Sequence, residues 1–323
     1  MKRPERGAAL LTAMLTVALV ATLASAALWQ QWRQVEIETA ERGRSQTAWL
    51  MTGALDWTRL ILREDALSAQ GSAADHLGEP WALPVQESKL STFLSQDQQW
   101  REGDAEVFLS GRITDAQSRL NVMSLVDNGK VFEPALRLFS RLFEHLNLPE
   151  QELQTLARQL VAAAQVPGTT APAAASAAAS GTPLMPQQTS QLVWLGLSPG
   201  TLAALENFIT LLPEPTVVNL NTAPAEVLMA SVPGLNLAAA RQLVQVRQGG
   251  HWATLDAARQ ALGPAGADLK DSQHSVNSRY FEVLGRMRID NAVQQDRALL
   301  KREGSQVTML WRLSGNSHAT NAP

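Results

Sequence analysis

Between Ala8 and Leu28 the chain carries 21 consecutive residues without a charge, directly behind the basic head Lys2-Arg3-Pro4-Glu5-Arg6-Gly7. As a helix this stretch rises about 32 Å, enough for a bilayer core of about 30 Å. Thr12, Thr16, Thr22 and Ser25 lie within it. Their hydroxyls can return to carbonyls of their own helix, which makes them tolerable in lipid. Lys2, Arg3 and Arg6 put the start of the chain in the cytoplasm and the remainder beyond the membrane. Trp29 and Trp32 stand where an interfacial aromatic belt is expected. Any fold for this chain must present one long apolar helix to lipid or to another apolar helix.

Two kinds of processing fit this start. Ala24-Ser25-Ala26 offers signal peptidase the small residues it favours, which would release a soluble protein. Against release, the apolar stretch exceeds the usual signal-peptide core of about 7–15 residues. The helical pattern also continues: residues 29–62 hold no proline and two glycines, and Leu50, Ala54, Trp57 and Ile61 recur at helical spacing. The expectation is one helix from Ala8 to about Leu62, its first half in the membrane and its second half packed on a soluble domain.

Composition narrows the function classes. The 323 residues suffice for about two domains. A net charge of −3 leaves no overall footprint for nucleic acid, and the absence of cysteine excludes disulfides, thiolate metal sites and cysteine nucleophiles. His76, His145, His251, His274 and His318 are scattered, with no pair at i, i+4 and no carboxylate at ligand spacing. Hydrolase, phosphate-loop and dinucleotide signatures are missing. Asp97, Glu102, Asp104 and Glu106 read as a solvated acidic loop. Nothing here points to an enzyme.

The body of the chain alternates in character. Residues 75–81 form a turn-rich loop, and Val107–Ile113 and Leu120–Leu125 read as strands around the polar turn Asp115–Arg119. Helical stripes follow in 131–164, first Leu136, Phe139, Leu142, Phe143 and Leu146, then Leu153, Leu156 and Leu160, with a break at Leu148-Pro149. Residues 162–186 reduce almost entirely to Ala, Ser, Thr, Pro and Gly, a flexible insert that cannot bury a core. A helix opens at Ser198-Pro199 and runs to Leu212. Next comes Asn219-Leu220-Asn221-Thr222-Ala223-Pro224, with Thr222 as N-cap, Pro224 early in a helix and Glu226 in its first turn. Pro233-Gly234 turns the chain into a second helix, Leu237–Arg247, with Ala240, Leu243 and Val244 inward. This helix–hairpin–helix pattern is similar to DNA-binding modules. Asn236 stands where those modules carry a second glycine, and Arg241 and Arg247 are the only nearby cations, so the packing reading outweighs phosphate binding. From Ser275 onward the pattern is strand-like: Tyr280 to Ile289, a turn at Asp290-Asn291, Arg297–Lys301, and Val307–Leu313 after Glu303-Gly304-Ser305.

Gly7 followed by Ala8-Ala9-Leu10-Leu11-Thr12 resembles the start of type IV pilin-like proteins. Those chains are cut by a prepilin peptidase after the glycine and mostly carry Glu where Thr12 stands. The departure at Thr12, the run Gly111–Asn121 and the Asn-Thr-Ala hairpin together resemble the K-type minor pseudopilins of type II secretion. The resemblance implies an α+β, type IV pilin-like fold, a long N-terminal helix packed on an antiparallel sheet, with a large inserted all-α domain holding the helix–hairpin–helix-like motif. Its expected bounds are a leader at 1–7, a membrane part at 8–28 of a helix over 8–62, a β domain from 63–128 and 272–314, an insert at 129–271, and a disordered tail at 315–323. It further implies cleavage at Gly7, N-methylation of Ala8, and a single-pass inner-membrane location before entry into a periplasmic pseudopilus. Implied partners are other minor pseudopilins at the filament tip, the major pseudopilin, prepilin peptidase, the inner-membrane assembly platform and exported proteins; nucleic acid is not among them. K-type chains often hold calcium through an acidic segment ahead of the second helical part. Here the Ala/Pro/Ser stretch 162–186 takes that place, so no cofactor is expected. A membrane-anchored or secreted DNA-binding protein remains the alternative, acting through residues 219–247.

Overall fold

A single helix, α1, runs from Arg6 to Ser68. Nothing in its sequence interrupts it: there is no proline after Pro4 until Pro80, and Arg63-Glu64-Asp65-Ala66-Leu67 extends it past the expected end at Leu62 with residues that favour helix. The computed structural model describes residues 6–68, 74–89, 106–164, 183–289 and 292–318. Contacts divide the chain into Met1–Ala54 and Leu55–Pro323. The described part of the first unit, from Arg6, is helix, with Leu10, Leu15, Val20 and Leu28 exposed along it.

In the second unit, the end of α1 packs on a five-stranded antiparallel sheet. Its strands are β1 (Val85–Lys89), β2 (Val107–Asp115), β3 (Tyr280–Ile289), β4 (Ala292–Glu303) and β5 (Gln306–His318), in that spatial order. Side chains alternate between faces, so Phe281 and Val283 of β3 and Ala298 and Leu300 of β4 point to one side, where they meet Leu55, Leu62, Trp81 and Val307. Trp81 stands edge-on to Phe281 with ring centroids 5.1 Å apart. The helix face that docks is rotated from the expected one. Leu55, Thr58 and Leu62 are buried, while Trp57 is 46% exposed. The sequence places apolar residues on both sides of α1, so spacing alone does not select the side that meets the sheet.

The β4–β5 turn is tight, with Glu303 opposite Gln306 and Gly304 at φ +58°, a conformation in which a side chain is strained. Strand β5 continues past Leu313, and its last residue, His318, pairs with Ala292. The expected tail from 315 is therefore strand as far as His318, held by backbone pairing that a polar sequence does not prevent. The turn at Asp290-Asn291 and residues 319–323 lie outside the described residues.

Residues 116–279 separate β2 from β3 and carry the helices α2 (Glu133–His145), α3 (Glu150–Ala164), α4 (Pro199–Leu205), α5 (Ala225–Ser231), α6 (Leu237–Gln248) and α7 (Leu255–Ala261). The stripes Leu136–Phe143 and Leu153–Leu160 are buried as expected, in a core that also takes in Leu192, Leu205, Leu220 and Leu228. It includes Leu120, Val122 and Leu125 from ahead of residue 129 and Val276 from behind 271. Leu120–Leu125 is not a strand of the large sheet. Leu120–Asn121 pairs in parallel with Ile209–Thr210, and Val122–Leu125 is a 3-10 turn. The same pairing ends α4 at Leu205, well before the expected Leu212. Of the stretch 162–186, residues 165–182 lie outside the described residues.

The rotated helix face makes a direct prediction. Leu62→Ala, which empties a fully buried site, lowers stability of the full chain by about 2–5 kcal/mol in urea unfolding, whereas Trp57→Ala changes it by less than about 1 kcal/mol. Equal costs would contradict the packing described.

Candidate functional site

Two parts of the chain hold side chains whose arrangement calls for an account beyond packing. The first is the apolar half of α1. Gly7 and Ala8 lie in its first turns, and Thr12 follows one turn later. Thr12 Oγ1 donates to the Ala9 carbonyl at 3.0 Å, Thr16 to Ala13 at 2.9 Å and Thr22 to Leu19 at 2.9 Å. These hydroxyls are thus satisfied within the helix, as lipid or an apolar neighbour requires. The segment is long and apolar enough to cross a membrane, and its apolar window buries nothing within the protein. The Arg33 guanidinium sits 5.5 Å from the Trp29 ring centroid, a cation–aromatic pair at the end of the uncharged run.

The second part is a buried polar junction where the helical insert joins the sheet. Asp115 closes β2 and is 1% exposed. Its Oδ2 accepts from Asn219 Nδ2 at 3.0 Å, Thr222 Oγ1 at 2.5 Å and Ser278 Oγ at 2.6 Å, and its Oδ1 accepts from the Gln117 amide at 2.7 Å. Burial pushes this carboxyl up, and the four donors oppose the shift by stabilising its ionised form. Asn219 Nδ2 also reaches the Asp75 carbonyl at 3.1 Å, and Asn221 exchanges bonds with the Trp252 backbone, at 3.0 Å from its amide and 2.9 Å to its carbonyl. Thr222 is consequently not the cap of α5. The helix begins one turn later behind Pro224, and the hydroxyl serves Asp115 instead.

Beside this junction the loop 74–82 gathers charge. Arg302 of β4 donates from Nη1 to Asp65 at 2.7 Å, from Nη2 to Asp75, and from Nη2 to the Ser278 carbonyl at 3.1 Å. Burial raises Asp75 to about 6 despite Arg302. Burial also raises Glu79 to about 7, although its Oε2 accepts from the His76 amide at 2.8 Å and from Trp81 Nε1 at 2.7 Å. The sequence scatters the histidines, yet the fold stacks His76 on His251, ring centroids 3.7 Å apart and planes within 9°. Burial and the neighbouring His251 lower His76. His274, buried under the hairpin, is lowered by burial and lies 3.1 Å from the Ser231 carbonyl.

Asp65, Asp75 and Glu79 bring ligand oxygens within 4.8 Å of one another. Arg302 already supplies the counter-charge to two of them, so the trio does not suit a cation. The stretch 162–186 contains no carboxylate and does not fit calcium. Of the expected acidic loop, Asp97, Glu102 and Asp104 lie outside the described residues, and Glu106 pairs with Lys89.

The hairpin's chemistry points inward as well. Asn236 caps α6 through its side chain, accepting from the Ala239 amide at 2.8 Å, which accounts for a polar residue at that position. Arg247, one of two cations that could contact phosphate, is buried and donates to the Leu220 carbonyl at 2.6 Å; burial lowers it to about 10. Gly234, at φ +75°, makes the turn itself.

Comparison with known proteins fits these features. Residues 118–214 and 218–277 match two models of the type II secretion system protein K family, and both segments fall within the insert between β2 and β3. The chain belongs to the type II secretion system protein K family. The protein K of Pseudomonas aeruginosa is 27% identical over 312 residues, covering 91% of this chain and 88% of its own. That of Klebsiella pneumoniae is 28% identical over 349 residues, covering 98% of each chain. In structure, the chain is similar to one solved in the GspK-GspI-GspJ complex of enterotoxigenic Escherichia coli, with a TM-score of 0.58, 17% identity, and coverage of 86% of this chain and 99% of that one. The pilin-like fold with its helical insert is shared. Protein K chains are components of a secretion assembly and not enzymes, and family and helix together support the inner membrane and periplasm as their setting.

Two measurements test the junction. Thr222→Val removes one donor from buried Asp115 and costs about 1–3 kcal/mol, while Thr222→Ser restores most of it. Glu79 gives a pH dependence of defined sign. Its raised pKa means that the folded state holds the proton more tightly than the unfolded chain, so its contribution is full below about 4.5 and is lost as pH rises through about 7. Glu79→Gln keeps an acceptor for Trp81 Nε1 and removes the titration. Relative to wild type it gains on the order of 1–2 kcal/mol between pH 5 and pH 8, after allowance for partial exposure. Parallel stability profiles for the two proteins would refute this.

Proposed function

We propose that this chain is a minor pseudopilin that caps the tip of a type II periplasmic pseudopilus and helps start its assembly for export of folded proteins. The observation that carries the reading is the exposed, uncharged half of α1 with Thr12 one turn behind the Gly7-Ala8 bond. In this reading prepilin peptidase cuts after Gly7 and Ala8 is N-methylated. The head of the chain stays cytoplasmic, and the part beyond Trp32 is periplasmic. A carboxylate at the Thr12 position would be costly in lipid unless a neighbouring subunit's amino terminus neutralised it. Thr12 needs no such neighbour, because its hydroxyl is satisfied by Ala9. This suits a subunit at the end of a filament, where one neighbour is missing. Its partners are other minor pseudopilins, as the name of the similar solved complex suggests. The major pseudopilin, the inner-membrane assembly platform and exported proteins are the further contacts. Apolar side chains between Leu10 and Leu28 would carry the helix-to-helix contacts. The hairpin 219–247 serves packing, since Arg247 is committed to Leu220.

Intact-mass measurement of the mature chain from cells containing the secretion system tests the processing. A chain beginning at Ala8 and carrying one added methyl group is expected. A start at Ala27 would assign the chain to the soluble periplasm, and a start at Met1 would leave an unprocessed anchor; either result overturns the proposal.

A further inference from the structure

The sheet has a second face, opposite the one that packs on α1, and its chemistry is different. Direct cross-strand pairing puts Arg112 of β2, Leu284 of β3 and Arg297 of β4 in one row, and Ser110, Arg286 and Gln295 in the next. Strands lie about 4.8 Å apart, so Arg112 and Arg297 flank Leu284 at about 10 Å from each other. Beyond them Arg288 lies over the Phe108 ring at 4.0 Å from its centroid. Arginine thus dominates this face in a chain whose net charge is −3.

The carboxylates on the sheet itself are already engaged, whereas Glu206 on the insert wall is exposed and has no ion-pair partner among the described residues. Glu282 accepts from Arg119 at 2.6 Å and Arg297 at 2.5 Å, and those two guanidiniums hold it below the usual carboxylate range despite burial. Glu87 accepts from Arg288 at 2.7 Å. Arg112 and Arg286 are exposed and have no hydrogen-bond or ion-pair partner among the described residues. In addition, the Nε of Arg119 is buried without a partner. The positive charge here is in excess of what the protein itself uses.

The surface is also concave. Glu206, Asn207 and Pro224 of the insert wall one side of a cavity of about 460 Å³ whose floor includes Arg112, Leu284 and Arg297. A flat bilayer cannot enter a walled recess, whereas a polypeptide segment can. An extended chain puts side chains on one side every ~7 Å, within reach of two long guanidinium arms about 10 Å apart. Guanidinium groups pair with carboxylates in two-pronged fashion, which favours acidic side chains over neutral ones.

We propose that this recess, together with the adjoining sheet row that carries Arg286, is a docking site for an extended acidic segment of another protein, bound through Arg112, Arg286 and Arg297 across Leu284. The inference stands on the sheet face and the insert wall beside it and does not depend on the filament reading.

The test uses the full chain in phosphatidylcholine nanodiscs and a fluorescein-labelled hexaglutamate peptide, with hexaglutamine as control and anisotropy as readout. Hexaglutamate is expected to bind, hexaglutamine not, and binding to weaken as salt rises from about 0.05 to about 0.3 M. Arg112→Glu combined with Arg286→Glu should weaken binding by about ten-fold or more with an unchanged circular dichroism spectrum, since neither side chain holds the fold. Arg241→Glu, at an exposed arginine of α6, should leave it within about two-fold. Absence of hexaglutamate binding overturns the proposal, as does binding that the double variant retains. Empty nanodiscs containing phosphatidylglycerol supply the remaining arm. If they bind the chain with the same dependence on Arg112 and Arg286 while hexaglutamate does not, the face is a lipid contact and the proposal fails.

Discussion

The carboxylate of Asp115 is the interaction on which the body of the molecule depends. An ionised group without donors in a protein interior costs several kcal/mol, so this position can exist only when its donors arrive together. They come from far along the chain: Asn219 is 104 residues away, Thr222 is 107 and Ser278 is 163. Asp115 ends the strand where the insert leaves the sheet, and Ser278 stands just ahead of the strand where it returns. One buried carboxylate therefore closes the neck of a long insertion and fixes its hairpin against the sheet. Arg302 makes a parallel tie, joining the end of α1 through Asp65 to the loop at Asp75. These contacts are directional where the cores around them are not. The apolar clusters supply bulk stabilisation, and the polar neck specifies the orientation in which the insert and the sheet meet.

The neck also engages much of the polar chemistry of a motif similar to nucleic-acid hairpins. In a phosphate-binding hairpin, cations and turn amides face outward. Here Arg247 is turned to the Leu220 carbonyl, Asn236 spends its side chain on the α6 amides, and Asn221 holds the Trp252 backbone. Arg247 and Asn221 are thus used to fasten the hairpin to its own protein and Asn236 to start its second helix, while Arg241 stays exposed. The sequence pattern and its chemistry have separated, and the separation is legible in the partners of individual atoms.

Much of the architecture was readable from residue order. An uncharged run followed by a proline-free stretch leads to one continuous helix, and the long stripes of α2 and α3 bury as their spacing requires. The split sheet with a helical insert also follows from the order of strand-like and helical segments. What was not readable has a common cause, which is competition from residues distant in sequence. Leu120–Leu125 is as apolar as a strand, but Ile209–Thr210 takes its first two residues and the rest bends into the helical core. Thr222 is well placed to cap a helix, but Asp115 claims its hydroxyl. His76 and His251 share no local pattern, and only the folded chain stacks them. Local signals identify what a residue can do, and long-range contacts decide which of those options it takes.

The two segments that match the protein K models, 118–214 and 218–277, lie inside the insert, while the helix on which the proposed filament role rests lies outside them. This separation is expected on physical grounds. The insert is specified by named atom pairs, so its residues are constrained one by one and leave a recognisable pattern. An apolar helix in lipid or in a helix bundle needs length, absence of charge and self-satisfied hydroxyls, which many sequences meet equally well. The first half of α1 can therefore change its residues widely without losing its physical property, provided no charge enters.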